Sequence, residues 1–393
     1  MRTITARHLT EMQRRLMTRR QVLATSAALG VGATIATHQG GSAQSGTPAI
    51  SATPAATPFS GSIVRNAWEP AWSAEPPFFT IVDRNEIATV VETIGDGLVE
   101  IPTDPQRIFA ASGEEDIFIA LGIEDRVVGL VAPDDSHSVY TNQEELAEHL
   151  SLAELARYES QWEPDLEVIL AAQPDLIVGS SPWMISDELY PNFSQIAPTI
   201  RYPQVTYLYP RQAVFDYGKL FAREDIATDA LATYNDFMQA ARERINPVIG
   251  EAEVLVTWYQ GGGTFMVYPA WCRTADGRIE ASSSENAPYH YELGLRSPAA
   301  IEALADADRT QYYIEMTMEQ FGQIATDYLF ISGDPATIQD EVLSAAVIQQ
   351  MPAYQNDRIV VIDDTTDTGL GYYGTMARVA LAVEIFTGEP LVS

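Results

Sequence analysis

The sequence predicts an α/β protein of two lobes, each built on a central, mostly parallel sheet, joined by one long helix. Three observations predict it. Short runs rich in Val, Ile and Leu alternate with helical segments. One long amphipathic stretch occupies the middle of the chain. After it, the same alternation begins again. Continuous apolar runs of this kind mark strands buried on both faces, which is the signature of a parallel sheet covered by helices.

In order along the chain, Phe78–Val82 and Ala88–Ile94 read as strands. Gly95-Asp96-Gly97 then turns into Leu98–Ile101, a hairpin entry. Arg107–Ala111 is a short apolar strand. Glu115–Leu121 has helical spacing and stops at Gly122. Val127–Val131 is a strand, Leu166–Ala172 a helix, Asp175–Gly179 a buried strand and Asp187–Ile196 a helix. The central helix is expected over Asp225–Asn246, with Ile226, Ala230, Phe237, Ala241 and Ile245 near one face and Pro247 ending it. Beyond it come strands Glu253–Tyr259 and Phe265–Tyr268 around a Gly261-Gly262-Gly263 turn. Helix Met318–Ile324, strand Tyr328–Ser332, helix Ile338–Ala346, strand Arg358–Ile362 and a last helix Met376–Phe386 complete the series.

Composition narrows the function. With 393 residues, 46% of them hydrophobic, the chain can build one large core or two ordinary ones. Its formal net charge is −31, and Lys219 is its only lysine. Such acidity repels phosphates and excludes nucleic acid as a partner. Cys272 is the only cysteine, so no internal disulfide forms, and no Cys/His cluster offers a zinc site. Bare zinc or manganese capture would want several histidines, whereas the body holds only His137, His149 and His290.

The first 43 residues read as an export address. Six arginines precede a weakly apolar run, Val22 to Ala36, too short to span a membrane. Thr18-Arg19-Arg20-Gln21-Val22-Leu23 resembles the twin-arginine signal, with a cleavage site near Ala43. A Sec-type leader and an uncleaved amphipathic segment are the alternatives. No cysteine follows the apolar run, so there is no lipobox. Residues 44–77, rich in Pro, Ala, Thr and Ser, form a tether that cannot bury a core; Trp68 and Trp72 stand near its end. The body then divides into a first lobe, 78–210, a connecting segment with the long helix, 211–247, and a second lobe, 248–393.

Several segments of the body carry a family resemblance. Ile101-Pro102-Thr103-Asp104-Pro105-Gln106-Arg107-Ile108, Ala120-Leu121-Gly122 through Val127-Val128-Gly129, Pro164-Asp165-Leu166 through Pro174-Asp175-Leu176-Ile177-Val178, Phe193-Ser194-Gln195-Ile196-Ala197-Pro198-Thr199-Ile200, and Met318-Glu319-Gln320-Phe321 through Asp327-Tyr328-Leu329-Phe330-Ile331 stand in family order. The body from about 88 to 390 resembles the iron–siderophore and cobalamin substrate-binding proteins of ABC transporters. That resemblance implies two Rossmann-like lobes braced by a stiff helix, and a cleft between them. The implied ligand is a ferric siderophore, with cobalamin or haem as alternatives on the same fold and no covalently bound cofactor. The implied partner is an ABC permease, and the implied form is an extracytoplasmic monomer.

In open α/β lobes, ligands meet the loops at the carboxyl ends of strands. Those loops hold Ser112-Gly113-Glu114, Ala132-Pro133-Asp134-Asp135 and Ser180-Ser181-Pro182-Trp183 in the first lobe. Aromatic faces and arginine forks suit a bulky, oxygen-rich chelate. Trp183, Trp258, Tyr259, Trp271, Arg273, Tyr372 and Tyr373 fit that chemistry, and Arg211 joins them. The plain alternative for each is a core or surface aromatic, or an arginine in a salt bridge. The family docks on its permease through one acid per lobe, which the resemblance places at Glu188 and Glu341; acids there would also serve the helix dipole without any partner. An enzyme is the remaining alternative. No G-x-S-x-G elbow, P-loop or G-x-G-x-x-G appears, and among the many carboxylates nothing singles out an acid/base pair.

Overall fold

The computed structural model describes residues 2–4, 77–93, 96–131, 154–158, 163–181, 185–203, 210–273, 279–283, 285–363 and 371–391. The twin-arginine segment, Trp68, Trp72 and Trp183 lie outside them.

Phe79–Arg84, Ala88–Thr93 and Gly97–Pro102 form a three-stranded antiparallel sheet, the hairpin entry extended. The first lobe follows as a five-stranded, wholly parallel sheet. Its spatial order is Ala156–Tyr158, Val127–Val131, Ile108–Ala110, Leu176–Ser181, Thr199–Pro203. The second lobe is mixed. Arg2–Ile4, Ile359–Asp363, Tyr328–Gly333 and Val254–Gly261 run parallel, and Thr264–Val267 and Ile314–Thr317 add antiparallel strands at one side.

Helix starts follow local chemistry. Asp165 caps Leu166–Ala171 by accepting the N–H groups of Glu167 at 2.9 Å and Val168 at 3.1 Å. Thr317 and Gln320 form a reciprocal capping box at Met318–Phe321. Gly122 ends Glu115–Leu121 with φ 67°, a left-handed turn that glycine tolerates. Gly261, Gly262 and Gly263 all have positive φ and make the turn between two second-lobe strands, as their sequence suggests.

The connecting helix runs Glu224–Ile249, 26 residues, or ~39 Å at 1.5 Å per residue. It passes through Pro247 and stops at Gly250, a correction to the expected end. Proline removes one N–H and crowds the carbonyl four residues back; only two further residues follow it here, so the cost falls on a last turn that is mostly solvated. The last helix is Gly371–Thr387, a turn longer at its start than the sequence suggests.

Strand alternation sorts the core. Ile108 and Ala110 face one cluster while Phe109 and Ala111 face another; Phe330 and Leu329 divide the same way in the second lobe. The central cluster is shared. It takes Ile108, Leu130 and Val178 from the first sheet, Val254, Phe330 and Val360 from the second, and Tyr217, Tyr234, Met238 and Val383 from helices between them. The helix layer therefore joins the lobes through continuous apolar packing. Any cleft belongs to the side where strands end.

Candidate functional site

At the carboxyl end of Ile108–Ala110 the chain turns through Ser112 and Gly113 into three consecutive acids, Glu114, Glu115 and Asp116. All three are buried. Glu114 accepts the N–H of Ser112 at 2.9 Å and the hydroxyl of Tyr202 from the Thr199–Pro203 strand. Burial pushes Glu114 up to about 8, against the backbone hydrogen bonds that favour its charge. It raises Glu115 well above the usual carboxylate range; neither oxygen of Glu115 has a hydrogen-bond partner among the described residues. Asp116 is pushed up to about 7 by burial, and backbone N–H groups of Tyr373, Tyr372 and Gly374 pull the other way. Burial thus favours the protonated form of each of these acids, and a protonated carboxyl can donate as well as accept.

The second lobe faces this cluster with the helix Gly371–Thr387. Tyr373 N–H donates to Asp116 Oδ2 at 3.0 Å. Further along, Arg378 is fully buried, where desolvation lowers its pKa and Tyr289, Glu285 and Tyr268 counter it. Beneath lies a buried ion pair. Arg211 donates to both oxygens of Glu292, at 2.6 and 2.7 Å, and Tyr234 adds its hydroxyl to Glu292 at 2.9 Å. Arg242 sits 3.7 Å from the same carboxylate.

These contacts relocate several sequence candidates. Arg211 is committed to Glu292 and stacks over Tyr234 at 4.6 Å, so it serves structure rather than a cleft. Tyr372 and Tyr373 are 2% and 3% exposed; Tyr372 donates to the Ala230 carbonyl of the long helix at 2.7 Å. They start a helix instead of lining a loop, because that helix begins at Gly371. Trp258 and Tyr259 lie inside the strand Val254–Gly261, on opposite faces, since the strand continues into the glycine turn. Tyr259 packs on Phe265 and donates to Glu341 at 2.5 Å; Trp258 is half-buried against the central core. Trp271 is half-buried with the Arg309 guanidinium 4.1 Å above its ring. Arg273 falls in the two-residue strand Cys272–Arg273.

Of the two docking acids, Glu188 is exposed beside Asp187, which pairs with Arg201 at 2.7 Å. Glu341 is exposed but accepts from Tyr259 and from Gly262 N–H at 3.1 Å. Sequence reasoning passed over Asp116, Glu292 and Arg378. Only the acid run had a signal, since three charges where a buried helix begins are costly unless used.

A cavity of about 760 Å³ opens at the opposite end of the first sheet, bordered by Arg107, Glu124, Asp125, Glu154 and Ala172. It lies at the amino ends of the first lobe's strands, whereas open α/β sheets generally meet ligands at the carboxyl ends. Among the described residues no group of His, Cys, Asp and Glu could hold a metal ion, and no helix is long and apolar enough to cross a membrane.

The family model described as periplasmic binding protein matches residues 110–366. The iron(3+)-hydroxamate-binding protein YxeB of Bacillus subtilis is 24% identical over 209 residues, covering 50% of this chain and 58% of that protein. The match thus spans little more than half the relative's length. Among solved structures, Staphylococcus aureus SirA complexed with staphyloferrin B aligns with TM-score 0.59 at 21% identity, covering 76% of this chain and 98% of that one. The FhuD protein from S. pseudintermedius gives TM-score 0.57 at 19% identity, covering 77% and 99%. At these identities the structural likeness establishes the fold.

Proposed function

The chain belongs to the periplasmic binding protein family, and from that premise we propose that it captures a ferric siderophore outside the cytoplasm and hands it to an ABC permease. The observation that carries the reading is the pairing of two sheet-centred lobes, with strand ends on one side and a stiff helix layer on the other. A continuous helix resists bending, so closure on ligand is small.

The cargo we favour is a ferric hydroxamate. Each hydroxamate loses a single proton on chelation, so three of them neutralise the ferric ion, whereas catecholates, which lose two protons each, leave the complex anionic. A protein of net charge −31 repels the latter more strongly. The curated relative's name points to the same class. Trp183, Trp258 and Arg273 remain the ligand contacts we propose, on chemistry and chain position. Glu188 is the exposed acid we propose for permease docking. Residues 1–43 act as a twin-arginine leader removed near Ala43; its removal takes the edge strand Arg2–Ile4 from the second sheet and leaves Ile359–Asp363 as that sheet's edge.

The test is a fluorescence and absorbance titration of the purified protein with a ferric hydroxamate, a ferric catecholate, a ferric carboxylate, haem and cobalamin. Saturable binding of the hydroxamate supports the reading. Binding of only haem or cobalamin, or turnover of any of them, overturns it.

A further inference from the structure

The first N–H groups of an α-helix have no intrahelical partner, and a Ser, Thr, Asp or Asn just before the helix normally meets them. The helix Gly371–Thr387 begins with a glycine, which has no side chain to offer. Gly371 has φ 76°, and a Cβ there would meet both carboxylate oxygens of Asp116 at 2.5 Å. Asp116 belongs to the other lobe, in the helix Glu115–Leu121. Its Oδ2 accepts the N–H of Tyr373 at 3.0 Å across 257 residues of sequence. Its Oδ1 has no hydrogen-bond partner among the described residues, and the backbone N–H groups of Tyr372 and Gly374 favour its charged form.

We infer that Asp116 is a positioning residue: from the first lobe it caps the last helix of the second, and so fixes how the two lobes sit on each other. The glycine is the other half of the device, because any side chain at 371 would push the carboxylate out. The helix held this way carries Tyr372 against the long helix and Arg378 deeper in the second lobe. The cap's bearing on capture rests on the two-lobed reading above; the cap itself does not.

The groups around Asp116 set its pH behaviour. Glu114 and Glu115 stand beside it on its own helix. Pro210–Leu220 brings Asp216 and Tyr217 beside Glu114 rather than beside Asp116, the long helix brings Tyr234 against Tyr372, and the capped helix brings Tyr372, Tyr373 and then Arg378. Burial raises the seated carboxyl to about 7, while an exposed one titrates near 3.8. Protonation therefore favours the seated form, and the cap tightens as pH falls from about 7 toward 4.

Hydrogen exchange of the purified protein, corrected for intrinsic rates, tests this. In the wild type, protection of residues 371–376 should rise as pH falls from 8 to 5. Asp116→Ala should lower it at least about fivefold at pH 5 and flatten its pH dependence. Asp116→Asn keeps an acceptor oxygen without charge; it should retain protection at pH 8 and also be flat. This isostere reads the cap even where the alanine variant fails to fold. The proposal is overturned if Asp116→Ala leaves 371–376 as protected as wild type. It is also overturned if protection falls equally in strands Leu176–Ser181 and Tyr328–Gly333, or if the asparagine variant behaves like alanine. Ligand titration is a separate readout, so failure of the siderophore reading leaves this result standing.

Discussion

Replacing Glu292 with glutamine removes one charge from the centre of the molecule without changing its shape. The carboxylate is 1% exposed and is held by two Arg211 hydrogen bonds of 2.6 and 2.7 Å, by Tyr234 at 2.9 Å and by Arg242 at 3.7 Å. Burial works against the Arg211 charge, yet the neighbouring carboxylate holds its pKa above the ordinary value. Glutamine would leave that guanidinium charged, buried and facing an amide that can accept at only one atom. Breaking a buried pair from one side costs about 3–5 kcal/mol. Proteins of this kind are stable by about 5–15 kcal/mol in total, so Glu292→Gln should lower the thermal midpoint by roughly 4–8 °C. Replacing both partners with apolar residues, Arg211→Met with Glu292→Leu, should recover most of the loss, because no charge is then stranded. Calorimetry and denaturant melts of the wild type, the single variant and the double variant measure this. A glutamine variant within about 0.5 kcal/mol of wild type, or a double variant no better than the single, would refute the reasoning.

Other expectations follow from the same packing. Glu114 and Asp116 hold protons in the fold up to about 8 and 7, and Asp216 up to about 6, while the unfolded chain releases them near 4. The folded state binds more protons between those limits, so stability must fall as pH rises from about 4 to 8; melts at constant ionic strength should show a higher midpoint at pH 5 than at pH 8, and a flat or reversed trend would contradict the burial of these acids. Gly218→Ala would set a Cβ 2.4 Å from Ala227 Cβ, where the Pro210–Leu220 and Glu224–Ile249 helices touch, and should cost about 1–3 kcal/mol by overpacking. Trp183→Ala should weaken binding of a ferric hydroxamate in a fluorescence titration, and unchanged affinity would remove that residue from the proposed cleft. Arg19→Lys with Arg20→Lys should stop export, followed by immunoblot of cell fractions.

The strands were legible because their chemistry is local. Val127–Val131 reads correctly from its own residues, as does the helix Glu115–Leu121 with its terminal glycine. The long helix was legible too, except that Pro247 tolerates a last turn whose outer side meets water. The candidate site was harder, since its chemistry is settled by partners distant in sequence. Arg211 looks like a ligand fork until Glu292, 81 residues on, occupies it. Tyr372 and Tyr373 look like cleft aromatics until their helix is seen to start at Gly371, five residues before the expected Met376. Glu114, Glu115 and Asp116 look like an ordinary acidic first turn; only the approach of the second lobe makes them interior groups.

The last helix has a consequence for how the molecule is made. It leaves the ribosome after both sheets, yet Val379, Leu381 and Val383 fill the middle of the apolar mass that the two lobes share. Until it docks, the face of Tyr234 that Tyr372 covers meets water. Assembly of either half is thus incomplete until this helix arrives.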